Sequence, residues 1–268
     1  MPGPEGAARG RRAPDGSPYP DRGRAGFERD VRTMFGQIAR GYDWFDHVAS
    51  LGGDLLWRPR ALWDVDRFRD PRPVRRILDV GCGTGDLTRL AARHYPGARV
   101  VGLDFARPML EVARERTPAA ASGGRIAYGE GSVNRLPFPD ATFDLAMSAF
   151  VARNLPDLAG ALRELYRVLG PGGTLLTLEI TEPSSPFVRA TFHAYFDRVV
   201  PWLGAAVGKE GPYRYLPESL RYLPPRERLM GLFREAGFSR VGAVPQSAGI
   251  VTAYLAASAA PGTAVKSS

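Results

Sequence analysis

Residues Ile77–Leu90, ILDVGCGTGDLTRL, set an apolar run against an amphipathic one and part them with Gly81, Gly83 and Gly85. The first half reads as a buried strand and the second as a helix. A strand that stops in glycines before a helix makes room for a ligand. Without side chains at 81, 83 and 85 the backbone can pass close beneath that ligand and turn N–H groups toward it.

The spacing narrows the choice of ligand. A dinucleotide fingerprint is G-x-G-x-x-G, with the third glycine opening the helix. Here the pattern is G-x-G-x-G, and Asp86 stands where that third glycine belongs. Asp79 precedes the loop by two positions, within reach of a cationic amino group. The next strand candidate, ARVVGLD, ends in Asp104 on the same sheet edge, where a carboxylate accepts hydrogen bonds from both hydroxyls of a ribose. A carboxylate, a close backbone and a ribose-binding carboxylate describe S-adenosylmethionine better than a dinucleotide. A nicotinamide nucleotide and a ligand-free tight turn are the competing readings.

Outward from the loop, strand and helix alternate. RRILDVG, ARVVGLD, GRIAYGE, FDLAMSA and GTLLTLEI read as strands, and GDLTRLAARHY, RPMLEVARERT and DLAGALRELYRVL as helices. That order predicts an α/β fold, a seven-stranded, mostly parallel, doubly wound Rossmann-like sheet with helices on both faces. PRERLMGLFREAGF then reads as a helix, followed by two strand-like runs ending in GIVTAYLAA. Upstream, Val31, Phe35 and Ile38 recur at helical spacing, and DLLWRPRALWDVDRF forms a second helical piece. Residues 27–260 are expected to form one domain, with Pro183–Pro225 as an inserted cap. The Gly-, Pro- and Arg-rich residues 1–26 and the tail 261–268 are expected to be disordered, because they lack apolar surface to offset ordering.

Composition sets limits on function. The chain has 268 residues, 44% hydrophobic and 24% charged, enough for a sizeable core. No apolar run reaches the ~18 residues of a membrane span, and the N-terminus lacks a signal-peptide pattern. With Cys82 as its only cysteine the chain forms no intrachain disulfide, which suits the cytoplasm. Cys82 is small enough to sit between glycines and has no sequence neighbour to activate it. No metal site is expected. The net charge of +8 is spread over arginines interleaved with acids, so it reads as solvated helix faces; nucleic acid is not the expected partner.

Seven segments together resemble the class I methyltransferases that C-methylate quinone precursors in ubiquinone and menaquinone biosynthesis. They are VRTMFGQIARGYD, LLWR, LDVGCGTGDLT, GLDFARPML, RLPFPDATFDLAMSAFVARN, ALRELYRVLGPGGTLLTLEITEP and YRYLPESLRYLP, and the similarity as a whole runs from about Val31 to Ala256. The glycine loop is common to many methyltransferases, whereas the Arg-Asn after the fourth strand and the YRYLPESL block are specific. The resemblance implies S-adenosylmethionine as cofactor, with Thr84 and Asp104 in contact with it. It also implies Ser132 and Val133 beside the adenine and Ala149 lining the site. Two departures stand out. Ser132 occupies a position that is Asp or Asn in the family, and Val151-Ala152 replaces Gly-Leu before Arg153-Asn154.

The implied reaction is methylation of demethylmenaquinol, a lipophilic quinol. Its ring carbon becomes nucleophilic when the neighbouring hydroxyl loses a proton, so the site needs a base or a positive charge beside the phenolate. Arginine stays protonated, so Arg153 is expected to stabilise the phenolate, directly or through water, with Asn154 orienting that water or the quinol oxygen. The alternative is that the pair only satisfies a loop. His193 has the pKa nearest working pH for a base, although a His beside Phe192, Tyr195 and Phe196 also reads as a packing residue. Tyr195, Tyr213 and Tyr215 are candidate substrate contacts in a cap rich in aromatics and arginines. Such a cap suits a lid over a ring and its tail, peripheral contact with a membrane surface, or a homodimer interface. His47 reads as solvated and His94 as a helix-terminal residue. Methylation of another aromatic metabolite, an RNA-associated methyltransferase and a catalytically silent cofactor binder are the remaining alternatives.

Overall fold

The computed structural model describes residues 23–39, 50, 52–118, 122–200, 202, 215 and 217–260. Its frame is a sheet of order β3-β2-β1-β4-β5-β7-β6. The strands are β1 (Arg76–Val80), β2 (Arg99–Asp104), β3 (Ile126–Glu130), β4 (Phe143–Ala149), β5 (Leu169–Ile180), β6 (Arg240–Gln246) and β7 (Val251–Ala257). Strands β1 to β5 pair in parallel, and β7 runs antiparallel to both β5 and β6.

The strand sequences show why. In β1, Ile77, Leu78 and Val80 are all buried, as are Leu145, Ala146 and Met147 in β4. Continuous apolar runs of this kind belong to strands covered on both faces. Adjacent Ile77 and Leu78 point to opposite faces and enter two separate apolar cores. One core holds Trp57, Leu62, Val100 and Leu178, beneath α2 (Asp54–Phe68) and α3 (Asp86–His94). The other holds Leu162, Leu165, Phe233 and Tyr254, beneath α5 (Leu158–Val168) and α7 (Arg226–Glu235). Between them in chain order lies α4 (Arg107–Glu115). The amino-terminal helix α1 (Gly23–Ile38) packs on α4 through Ile38, Met109 and Val112, with Phe35 partly buried beside them.

Some boundaries differ from expectation. Helix α1 begins at Gly23, inside the segment expected to be disordered. Strand β5 starts at Leu169 rather than Gly173, because Gly172 N–H donates to Ala259 O (2.9 Å) and Ser258 N–H donates to Gly173 O (3.0 Å). The cap segment contributes α6 (Pro186–Ala194), a π-turn at Tyr195–Val199 and a 3₁₀ turn at Leu220–Tyr222. Tyr213, His47, residues 1–22 and residues 261–268 lie outside the described residues.

β1 pairs with β2 on one side and β4 on the other, so the chain's winding reverses between β1 and β4. A crevice opens at the carboxyl ends of strands flanking such a reversal, and it is where α/β folds hold ligands.

Candidate active site

The loop leaving β1 has three left-handed residues, Gly81 (φ 64°), Gly83 (φ 53°) and Gly85 (φ 85°). Two of these glycines are also forced by close packing. A Cβ at Gly81 would lie 2.5 Å from Val151 Cγ2, and one at Gly85 would run into the Tyr128 hydroxyl. Asp104, at the end of β2, fixes the loop: its Oδ2 accepts from Gly83 N–H (2.8 Å) and its Oδ1 from Ala106 N–H (2.8 Å). The carboxylate is buried, which raises its pKa above the usual range against the opposing pull of the N–H donors.

Above this loop a cavity is walled by Phe35 of α1, Gly81, Asp104, Phe105 and Met109, by the Gly131–Asn134 turn after β3, and by Ala149, Phe150, Val151 and Asn154 after β4. Of the expected cofactor residues, Gly81, Asp104, Ser132, Val133 and Ala149 thus share one wall, and Asn154 joins them. Gly83, Thr84 and Gly85 do not line it. Thr84 is buried and its carbonyl accepts from Arg89 Nη1 (2.8 Å). Asp79 does not line it either. It lies buried under the loop, its Oδ2 accepting from Thr88 Oγ1 (2.6 Å), and burial pushes its carboxyl up to about 7.

The cavity is narrow, about 90 Å³, below the roughly 300–1,000 Å³ of sites that enclose drug-sized ligands. The wall chemistry fits an adenosine. Asp104 retains acceptor capacity for ribose hydroxyls beyond the backbone N–H bonds it takes from Gly83, Phe105 and Ala106. Phe105, Met109 and Val133 offer apolar surface for a base. Asn134 Oδ1 is buried with no hydrogen-bond partner among the described residues, and an acceptor left in that state costs about 1–3 kcal/mol until a donor arrives.

The Arg-Asn pair after β4 divides. Asn154 faces the cavity, donating Nδ2–H to Phe150 O (3.2 Å) and accepting on Oδ1 from the Tyr215 hydroxyl (2.8 Å). The two most specific blocks of the sequence therefore meet. Arg153 is buried off the cavity wall, its Nη1 3.4 Å from Glu179 Oε2 and its guanidinium 5.7 Å from the Phe150 ring centroid. Arg153 does not line the cavity, whereas Phe150 and Asn154 do. Phe150 itself has φ 62°, a left-handed conformation costing on the order of 1–3 kcal/mol in a non-glycine residue. It is held there by its N–H to Leu178 O (2.7 Å), by Trp57 edge-on, and by Arg58 on its other side (5.8 Å).

His193 does not join this group. It is half-exposed on α6, with Nε2 3.1 Å from Glu182 and Nδ1 3.5 Å from Asp197, and it lines a second cavity of about 670 Å³ between α6 and residues 217–227. Tyr195 packs against the Trp57 core, edge-on to Phe196. Cys82 is buried, and desolvation raises its thiol pKa, which suits packing and not nucleophilic attack. His94 Nε2 lies 2.6 Å from Asp66 Oδ2, near the end of α3.

Sequence reasoning passed over Phe35, Arg58, Asn134, Phe150 and Glu179. An arginine among apolar helix residues in LLWR was the one local hint, for Arg58. Among the described residues its guanidinium is buried and reaches Asp54 (2.9 Å) and Asp86 (3.9 Å).

The strand order with antiparallel β7, the glycine loop after β1 and the carboxylate closing β2 define the α/β methyltransferase class. A methyltransferase from Aquifex aeolicus described as S-adenosylmethionine-dependent shares this fold at TM-score 0.56 and 18% identity, over 80% of this chain and 97% of that one. The [4+2]-cyclase SpnF shares it too, at TM-score 0.56 and 20% identity over 75% of this chain and 81% of that one, so the fold alone does not fix the chemistry. The chain belongs to the ubiE/COQ5 methyltransferase family, whose sequence model matches residues 24–258. It is 45% identical to a demethylmenaquinone methyltransferase of Thermus thermophilus, over 77% of this chain and 91% of that protein. It is 34% identical to a ubiquinone/menaquinone biosynthesis C-methyltransferase of Geobacter, over 84% and 94%.

Proposed function

We propose that the protein methylates a ring carbon of demethylmenaquinol, using S-adenosylmethionine and yielding menaquinol, S-adenosylhomocysteine and a proton. The observation that carries this reading is the Tyr215–Asn154 hydrogen bond, which brings the cap's quinol-side block to the wall of the Asp104 cavity. When bound, the cofactor supplies a methyl already activated on a sulfonium. The chain's task is then to orient two reactants and exclude water. Asp104 receives the ribose hydroxyls, and the apolar wall of Phe105, Met109 and Val133 flanks the adenine. Asn154 orients the quinol oxygen with Tyr215 behind it. Arg153 keeps a fixed positive charge beside that wall, lowering the cost of the oxyanion that activates the ring carbon without contacting it. Incubation of the protein with labelled cofactor and a panel of reduced quinols tests the reading. Mass-identified menaquinol is the expected product, and absence of methyl transfer to every quinol refutes it.

Ser132 stands where a carboxylate or amide is the family pattern, and Asn134 supplies an unpartnered amide oxygen two residues on. Asn134→Ala is expected to weaken S-adenosylhomocysteine binding by about tenfold, near the value of one buried hydrogen bond. Binding of S-inosylhomocysteine, which lacks the adenine amine, should be unchanged. Titration calorimetry with both ligands checks this, and equal losses for the two would remove Asn134 from base recognition.

Among the described residues no helix is long and apolar enough to cross a membrane. A quinol with a polyprenyl tail resides in one, and the protein must meet it there. Leu55 and Leu56 of α2 and Phe187 of α6 are 60–78% exposed, on two helices joined by the Trp57–Phe192 core. These side chains form the membrane-facing surface. The protein should cosediment with anionic phospholipid vesicles, and Leu56→Asp with Phe187→Asp should weaken that binding by about tenfold. Unchanged cosedimentation of the double variant would move the contact elsewhere.

A further inference from the structure

Glu179 is the penultimate residue of β5 and is fully buried. Its Oε1 accepts from Ala152 N–H at 2.6 Å, and its carboxylate also takes the N–H of Val151. Its Oε2 lies 3.4 Å from Nη1 of Arg153. One side chain of β5 thus holds three consecutive residues of the turn that follows β4. On either side of those bonds stand the residues that form the cavity wall, Phe150, Val151 and Asn154.

A buried carboxylate is a costly means of filling space. An apolar side chain of similar size would pack there at no desolvation cost, and such replacements of buried ion pairs are often neutral or stabilising. Capping the short Ala152–Asn154 turn needs only a neutral acceptor for two N–H groups. Neither task calls for a negative charge. The charge has one evident use, which is to hold the Arg153 guanidinium. That guanidinium is otherwise weakly fixed, since its Nε is buried with no partner among the described residues.

We propose that Glu179 is a positioning residue for the methyl transfer, fixing Arg153 and, through the shared turn, the angle at which Asn154 enters the cavity. The proposal rests on the functional reading above. Glu179 touches neither cavity and is not a catalytic residue. Its effect passes through the Val151–Arg153 backbone and the guanidinium.

Glu179→Gln preserves shape and the acceptor for Ala152 N–H while removing the charge. It should lower kcat about 30-fold while leaving the quinol KM and the S-adenosylhomocysteine Kd within about threefold of wild type. Glu179→Asp, which keeps the charge, should recover part of that loss. Added to Arg153→Met, the Gln substitution should cost less than about twofold more, since both act on one element. Wild-type kcat in Glu179→Gln, additive losses in the double variant, or a parallel fall in cofactor affinity would each overturn the proposal. Failure of both Glu179 variants to fold would do the same by making the carboxylate a stability element. A wild-type protein inert toward every reduced quinol would sink the functional reading and this proposal with it. Active wild type with an indifferent Glu179→Gln sinks the proposal alone.

Discussion

Asp104→Leu is expected to reduce S-adenosylhomocysteine affinity by more than about 100-fold, because it removes a charged acceptor for the ribose hydroxyls and the anchor of the glycine loop together. The second effect follows from the structure. Asp104 accepts from Gly83 N–H and Ala106 N–H, and leucine leaves both donors without their acceptor, at about 1–3 kcal/mol each when buried. The melting temperature should therefore fall with the affinity. Asp104→Asn separates the two contributions. It keeps the volume but turns an amide N–H₂ toward one of those donors and removes the charge. Its affinity loss should be about 10–100-fold with a smaller thermal penalty. Calorimetry and differential scanning fluorimetry on both variants decide the matter; a leucine variant that binds S-adenosylhomocysteine like wild type would move the ribose site off β2. Because burial raises the Asp104 carboxyl, wild-type affinity should also decline as acid pH protonates it.

Arg153→Met is expected to cut kcat by about 10²–10³-fold with cofactor affinity preserved, as for removal of one preorganised charge near a developing oxyanion. It should also destabilise the fold in a pH-dependent way. Removing one partner of a buried pair costs about 3–5 kcal/mol while the other stays charged. Burial already lifts the Glu179 carboxyl to about 7, with Arg153 pulling it down, so loss of Arg153 raises it further. The sign then follows. A carboxyl whose folded pKa exceeds its unfolded value destabilises the fold progressively as pH rises from the unfolded value through the folded one. The stability deficit of Arg153→Met should thus be small at about pH 6 and large at about pH 8, where the fold must either hold the Glu179 proton that the unfolded chain has released or bury an unpaired charge. Chemical denaturation at both pH values tests it. A deficit that does not change with pH would mean that Glu179 does not carry the charge assigned to it, and the pH dependence should vanish in Arg153→Met with Glu179→Gln.

These two residues show how differently the site was written into the sequence. Asp104 is legible because it closes the strand that follows the glycine loop and its helix, a relation of neighbouring elements in one βαβ unit. Arg153 was legible by motif, but its setting was not. The sequence suggests a guanidinium acting on the substrate directly or through water; that it pairs with a buried strand residue 26 positions away is visible only in the fold. The place of His193 is likewise set by the fold: α6 carries it to Glu182 and Asp197 beside another cavity.

The strands, the sheet's parallel core and the glycine loop follow from local chemistry. Apolar runs of strand length need covering on both faces, and positive φ at 81, 83 and 85 needs residues without Cβ. Such constraints act between close neighbours, so order along the chain suffices to express them. The working identity of the site arose only when distant segments met. Tyr215 reached Asn154 across 61 residues, Glu179 came to hold the β4 turn, and burial left Asn134 Oδ1 without a partner among the described residues. Hydrogen bonds and desolvation depend on which groups share a volume, and chain order leaves that volume undefined until the sheet closes.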